Sequence, residues 1–147
     1  MSSVEHSTFT IERTYEAPPA RVFAAWADEQ AKAQWFGGQD FSLDFRVGGT
    51  ETNAGGPEGG PLYRYHATYR DIVQDERIVY GVDMYVDDRL MSVSVASVEF
   101  AREGDGTRLT LTEQGAFLDG LESPSQREQG TGQLLGKLGE ALAGARV

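Results

Sequence analysis

The chain has 147 residues, no cysteine and a formal net charge of −10, with a pI near 4.6. That length supports one domain, 1–147, able to bury roughly 70% of its unfolded surface without disulfide staples. The acidity, with Lys and Arg scattered singly, disfavours nucleic acid and anionic membrane surfaces as partners and is read first as a device for solubility.

Met1 to Ser7 is polar, shows no apolar signal-peptide core, and reads as a disordered start. No apolar run approaches a membrane span, and the lack of cysteine suits a reducing compartment, so a cytoplasmic, soluble protein is expected. Thr8 to Tyr15 alternates Phe9, Ile11, Arg13 and Tyr15 against four polar residues, the period of a first strand. Ala17-Pro18-Pro19 breaks it, and Ala20 to Ala27 follows as a short helix with Val22, Phe23 and Trp26 on one face. Asp28 is placed to cap a second short helix through Gln34, which ends at Trp35-Phe36-Gly37-Gly38. Two such helices leave too little chain for a parallel crossover, so the sheet is expected to be antiparallel.

Phe41–Phe45 and Thr50–Asn53 read as strands around a Val47-Gly48-Gly49 turn. The Gly-rich loop Ala54–Pro61 has no Lys and no helix behind it, so it is read as a plain connection and not a phosphate cradle. Leu62–Val73 alternates, with Tyr63, Tyr65, Ala67 and Tyr69 inward and Arg64, His66, Thr68 and Arg70 toward solvent. Ile78–Val86 and Leu90–Arg102 continue the pattern, the latter turning Ser92, Ser94, Ala96, Val98 and Phe100 one way. After a tight Gly104-Asp105-Gly106 hairpin, Thr107–Gln114 presents Leu109, Leu111 and Glu113 together. Ser123 to Val147 reads as one long amphipathic helix, with 123–145 counted as helical. Ser123 and Gln126 form a capping box around Pro124, and Gly144 is placed to stop the helix in a left-handed cap. Leu134, Leu135, Leu138, Ala141 and Leu142 make its apolar stripe. Strand runs closed by such a helix indicate an α+β architecture.

Tyr15-x-Ala17-Pro18, Val22-Phe23, Trp35, Asp44-x-Arg46-x-Gly48-Gly49, Gly106-Thr107-Arg108-Leu109-Thr110-Leu111, and Gly130 with Leu135 and Leu138 occur in one order from Phe9 to Leu142. In these motifs the chain resembles the heat-shock protein 90 ATPase activator homologues, within the START-like (SRPBCC, birch-pollen-allergen-like) superfamily. The resemblance implies a helix-grip fold, a curved antiparallel sheet of about six to seven strands wrapped round the C-terminal helix. It also implies a cavity for a small, largely apolar ligand. The family usually carries Gly-Trp where this chain has Gly130-Thr131, so either neighbouring aromatics fill the space at the helix entrance or the cavity is larger there. Gly130, Gly132, Gly136 and Gly139 weaken the same helix, each by up to ~1 kcal/mol relative to Ala. Close approach to the sheet is their benign explanation, and a mobile helix that gates a cavity is the sharper one.

Candidate chemistry is sparse. The two histidines, His6 in the frayed start and His66 on the solvent side, offer no metal cluster, and no cofactor fingerprint is present. Ser92 and Ser94 lack a histidine partner for nucleophilic work. The inward set is aromatic and apolar: Trp35, Phe36, Tyr63, Tyr65, Tyr69, Tyr80, Met84, Phe117 and Leu138. Ser92, Ser94 and Glu113 are its polar handles, with Thr131 at the entrance, and the mix suits a small-molecule pocket as well as an ordinary core. Glu113 is the candidate acid or base if it is buried alone, and a structural strand-end group if it reaches water or pairs with an arginine, the favoured reading. Asp44 and Arg46 are read as a charge pair that fixes the Gly48-Gly49 turn. The expected function is binding of a small hydrophobic or aromatic ligand. A cyclase, aromatase or hydratase-like enzyme in the same cavity is the alternative. A homodimer is admitted, and a chaperone ATPase-stimulating role ranks last.

Overall fold

A computed structural model gives the structure of residues 2–144. The chain runs β1 (Val4–Tyr15), α1 (Pro19–Ala27), α2 (Glu29–Phe36), β2 (Gln39–Leu43), β3 (Thr50–Gly55), β4 (Tyr63–Val73), β5 (Arg77–Val86), β6 (Arg89–Glu103), β7 (Gly106–Leu118) and α3 (Pro124–Gly144). The strands form one antiparallel sheet ordered β1-β7-β6-β5-β4-β3-β2. Only β1 leaves its sequence neighbour, and it returns to pair with β7 along its whole length, from Val4 opposite Leu118 to Tyr15 opposite Thr107. The inner face holds the core. Phe9 and Ile11, Ile78 and Val82, Val98 and Phe100, and Leu109 and Leu111 come from the strands. Leu135, Leu138 and Leu142 of α3 join that core, and Val22, Phe23 and Trp26 of α1 close one end. This is the helix-grip arrangement, and it is α+β.

Local chemistry explains the joints. Asp28 caps α2 by accepting from the Ala31 amide at 2.9 Å. Both halves of the α3 capping box are made: the Gln126 amide donates to Ser123 Oγ at 3.1 Å, and the Ser123 amide donates to Gln126 Oε1 at 2.9 Å. Two of the sequence motifs meet at one joint. Thr107 Oγ1, fully buried, donates to the Ala17 carbonyl at 2.7 Å, and a Cβ on Gly106 would sit 2.2 Å from the Tyr15 carbonyl oxygen. The Ala17-Pro18 corner is thus pinned to the start of β7.

Four expectations need correction. The start is ordered from Val4, because Val4–Ser7 pairs with Gly115–Leu118 of β7, so His6 lies in a strand. β2 begins at Gln39 and stops at Leu43, leaving Phe45 in the turn. Gly144 is the last described residue of α3 and has no left-handed φ, so it does not cap the helix. The expected continuation to Val147 lies outside the described residues. Asp44 and Arg46 do pair, at 3.0 Å, but in solvent, where such a pair is worth little. The turn is held instead by the backbone: Gly48 N donates to the Tyr69 carbonyl, Tyr69 N donates to the Gly49 carbonyl, and a side chain on Gly49 would strike the Asp44 carbonyl. No helix among the described residues is long and apolar enough to cross a membrane.

Candidate functional site

Between α3 and the sheet lies a pocket of about 210 Å³. Trp26 of α1 and Trp35 and Phe36 of α2 form one wall, with Trp26 and Trp35 edge-to-face at 4.8 Å and Phe36 against Tyr65 at 5.0 Å. Tyr65, Tyr80, Val82, Met84, Ala96 and Leu111 form the floor on the sheet. Gly130, Thr131, Leu134 and Leu135 of α3 form the roof. Gln126, Phe36, Met84 and Leu134 keep some exposure and mark the open side.

One end of the pocket is polar. Glu113 is 6% exposed, and its Oε2 accepts from Arg127 Nη1 at 2.9 Å and from Ser94 Oγ at 2.5 Å. Arg127 Nη2 donates to Ser92 Oγ at 2.5 Å and to Glu122 Oε1 at 2.6 Å, and Nε donates to Glu122 Oε2 at 3.2 Å. The guanidinium carbon also lies 5.3 Å over the Phe117 ring. Burial pushes the Arg127 guanidinium down, but the bonds and charges of Glu122 and Glu113 outweigh it and the net direction is up. Among the described residues, Glu113 Oε1 and the hydroxyls of Tyr65 and Tyr80 find no hydrogen-bond partner, and none of the three is sealed in the protein. Each keeps some exposure, on a residue that lines the pocket. Burial, then the charges of Glu51 and Glu113, pushes both tyrosine hydroxyls up, with neighbouring phenols adding to it for Tyr65, so each is a neutral donor at ordinary pH.

Behind the aromatic wall sits a second, closed cluster. Lys32 is 1% and Glu51 0% exposed, and Lys32 Nζ donates to Glu51 Oε1 at 2.6 Å. Tyr69 OH donates to the same oxygen at 2.5 Å. The ammonium faces the rings of Phe36 at 4.7 Å, Trp26 at 5.0 Å and Trp35 at 5.8 Å. Burial pushes Lys32 below the ordinary lysine value, and the Glu51 charge and hydrogen bond oppose the shift. Glu51 Oε2 and Trp26 Nε1 are buried without partners among the described residues.

Of the residues singled out from the sequence, Trp35, Phe36, Tyr65, Tyr80, Met84, Glu113 and Thr131 line the pocket. Six others do not. Tyr63 is 37% exposed at the start of β4, Tyr69 belongs to the Lys32 cluster, and Leu138 is plain core. Ser92 and Ser94 hold Arg127 and Glu113 in place, and Phe117 lies under the guanidinium. Thr131 turns its hydroxyl away, donating to the Arg127 carbonyl at 2.8 Å. Glu113 is paired with arginine, as the structural reading held. Sequence reasoning missed Arg127 and Glu122 at the polar end, Lys32 and Glu51 behind the wall, and Trp26 in it. Arg127 carried a signal, since with Thr131, Leu134 and Leu138 it falls in the phase of the apolar stripe.

The comparisons agree with this architecture. The chain is similar over 95% of its length to 99% of Mll3558 from Rhizobium loti, at 50% identity and a TM-score of 0.91. A protein from Rhizobium leguminosarum matches 97% of the chain over 98% of its own, at 42% identity and a TM-score of 0.93. CV1439 from Chromobacterium violaceum matches at 26% identity and a TM-score of 0.76, covering 90% of this chain and 94% of its own. Comparison with curated proteins finds no match. Residues 16–143 match the model of the family described as Activator of Hsp90 ATPase homolog 1-like protein, and the chain belongs to that family.

Proposed function

We propose that this protein binds a small, largely apolar ligand in the pocket between the sheet and α3, in the cytoplasm. One observation carries the reading: three oxygens, Glu113 Oε1 and the Tyr65 and Tyr80 hydroxyls, stand unpartnered around a pocket walled by tryptophan and phenylalanine. Buried polar groups in folded proteins are satisfied as a rule, so a set left open toward one void is what a missing ligand would complete. The volume bounds its size. An apolar cavity of about 150 Å³ holds benzene, so about 210 Å³ suits one ring with a short substituent.

Thr131→Trp tests the reading, because an indole at the half-buried Thr131 would fill the pocket from the roof. Native mass spectrometry of freshly purified protein is expected to show a small co-purifying mass that the variant lacks, at unchanged fold by circular dichroism. Both proteins appearing at the mass of their own bare chain, together with no binding of small aromatics by the wild type, would overturn it.

The family description favours a second reading, stimulation of a chaperone ATPase through the surface. Unchanged ATPase rates of purified chaperone at saturating protein would dispose of it. An enzymatic use of Glu113 is less well supported, because Arg127 and Ser94 already occupy one of its oxygens.

A further inference from the structure

The polar end of the pocket selects the sign of the ligand's charge. Two carboxylates, Glu113 and Glu122, meet one guanidinium, Arg127, so the lining carries an excess of one negative charge. Arg127 spends four of its five N–H donors on Glu113, Glu122 and Ser92, and a ligand carboxylate approaching the fifth would face both glutamates. Lys32 stands behind the wall, but Glu51 at 2.6 Å neutralises it. Glu113 Oε1 is therefore the charged atom that a ligand meets, on a side chain 6% exposed that lines the pocket. The remaining walls are mostly ring faces and aliphatic groups, and their polar points, the Tyr65 and Tyr80 hydroxyls, Trp26 Nε1 and Gln126, are neutral, so no other formal charge in the lining offsets the negative excess.

Resting on the binding role proposed above, we propose that the ligand is a small organic cation, a primary or secondary ammonium on a body of one ring. The ammonium donates to Glu113 Oε1, and the ring lies between Trp35 and Leu134. A buried charge is tolerated only when paired, and here the pocket supplies the counter-charge that Arg127 alone does not exhaust. The Tyr65 and Tyr80 hydroxyls can donate to a substituent oxygen on the same ligand, which would set the ring's orientation.

The wild-type protein tests this without any substitution. Both tryptophans of the chain, Trp26 and Trp35, line the pocket, so their fluorescence reports occupancy. Titrations with benzylamine, benzyl alcohol, toluene and benzoate at pH 7 compare one ring with four end groups. Benzylamine is expected to bind about tenfold or more tightly than toluene, the worth of one charge-assisted hydrogen bond, with benzoate weakest. Glu113→Gln should erase the preference, weakening benzylamine about tenfold and toluene less than about threefold. Benzoate or toluene binding as tightly as benzylamine would overturn the cation proposal while leaving the pocket's binding role standing. Failure of all four probes would overturn both. Should Glu113→Gln not fold, the wild-type ranking decides alone.

Discussion

Arg127 Nη1 lies 2.9 Å from Glu113 Oε2, and this contact ties the first turns of α3 to β7 beneath the pocket mouth. The pair is nearly closed to solvent on both sides, so removing one partner leaves the other charge without compensation. Arg127→Met is expected to lower unfolding free energy by about 3–5 kcal/mol in urea titrations. Glu113→Gln should cost less, because Arg127 keeps Glu122. The double variant should recover part of the first loss, with a coupling of about 1–3 kcal/mol between the sites. Strict additivity would mean that the two charges do not act as a pair.

The Lys32–Glu51 pair gives a different outcome, because it is sealed behind the pocket's aromatic wall. Lys32→Met strands Glu51 with Tyr69 as its one donor and should cost about 3–5 kcal/mol. Lys32→Met combined with Glu51→Leu replaces a desolvated ion pair by apolar volume inside an aromatic box. That double variant should be neutral, or more stable by about 1–4 kcal/mol, in guanidinium unfolding. A double variant as unstable as Lys32→Met would show that the cluster stabilises the fold by more than charge compensation.

Alkaline pH should unfold the protein cooperatively. Burial pushes the hydroxyls of Tyr15, Tyr65, Tyr69 and Tyr80 well above the ordinary tyrosine value, and Glu51 adds to it for the last three. A folded-state value raised above the unfolded one gives stability that is complete below the unfolded value and lost above it. Each such tyrosine then lowers stability by about 1.4 kcal/mol per pH unit above pH ~10, so the four together remove roughly 5–6 kcal/mol per unit. Lys32 works in the opposite direction. Its folded value is depressed, so stability rises with pH from that value to the unfolded lysine value, and the gain ends there. Phenolate absorbance near 295 nm should therefore show these four tyrosines ionising together with loss of near-ultraviolet circular dichroism. Smooth titration of all the tyrosines in a folded protein would contradict their burial.

How much of this was legible depended on whether the signal was local. Alternation in β4 to β7, the Ser123–Gln126 box and the Asp28 cap are short-range patterns, and each reads directly from neighbouring residues. Glu51 was not legible, because its inward direction is set by register. It lies opposite Ala67 of the inner face of β4, and the flexible loop between β3 and β4 leaves that pairing open in the sequence. Lys32 looks like any surface residue of a short polar helix until Glu51 is placed beneath it. Ser92 and Ser94 were assigned to the right face but the wrong task, since their partner Arg127 comes from a distant element. Two bulges, at Tyr69/Asp71 and at Met84/Tyr85, also shift the phase in ways alternation cannot announce.

The glycines of α3 separate two explanations that the sequence left together. A Cβ on Gly139 would meet Tyr15 Cε1 at 3.3 Å, and that ring is held because Tyr15 OH donates to the Leu135 carbonyl at 2.7 Å. Gly139 thus serves close approach, and Gly139→Ala should give no gain or a net loss of stability. Gly130 and Gly136 have no atom within 4 Å of a built Cβ, so packing does not require either of them. Gly130→Ala and Gly136→Ala should each stabilise the protein by about 0.5–1 kcal/mol through helix propensity and a less flexible unfolded chain. Whether α3 opens locally over the pocket is what amide hydrogen exchange across Gln129 to Gly139 measures directly. Wild-type protection equal to that of β6 would end the idea of a gate. Faster exchange there, slowed by Gly136→Ala together with slower probe entry into the pocket, would establish it.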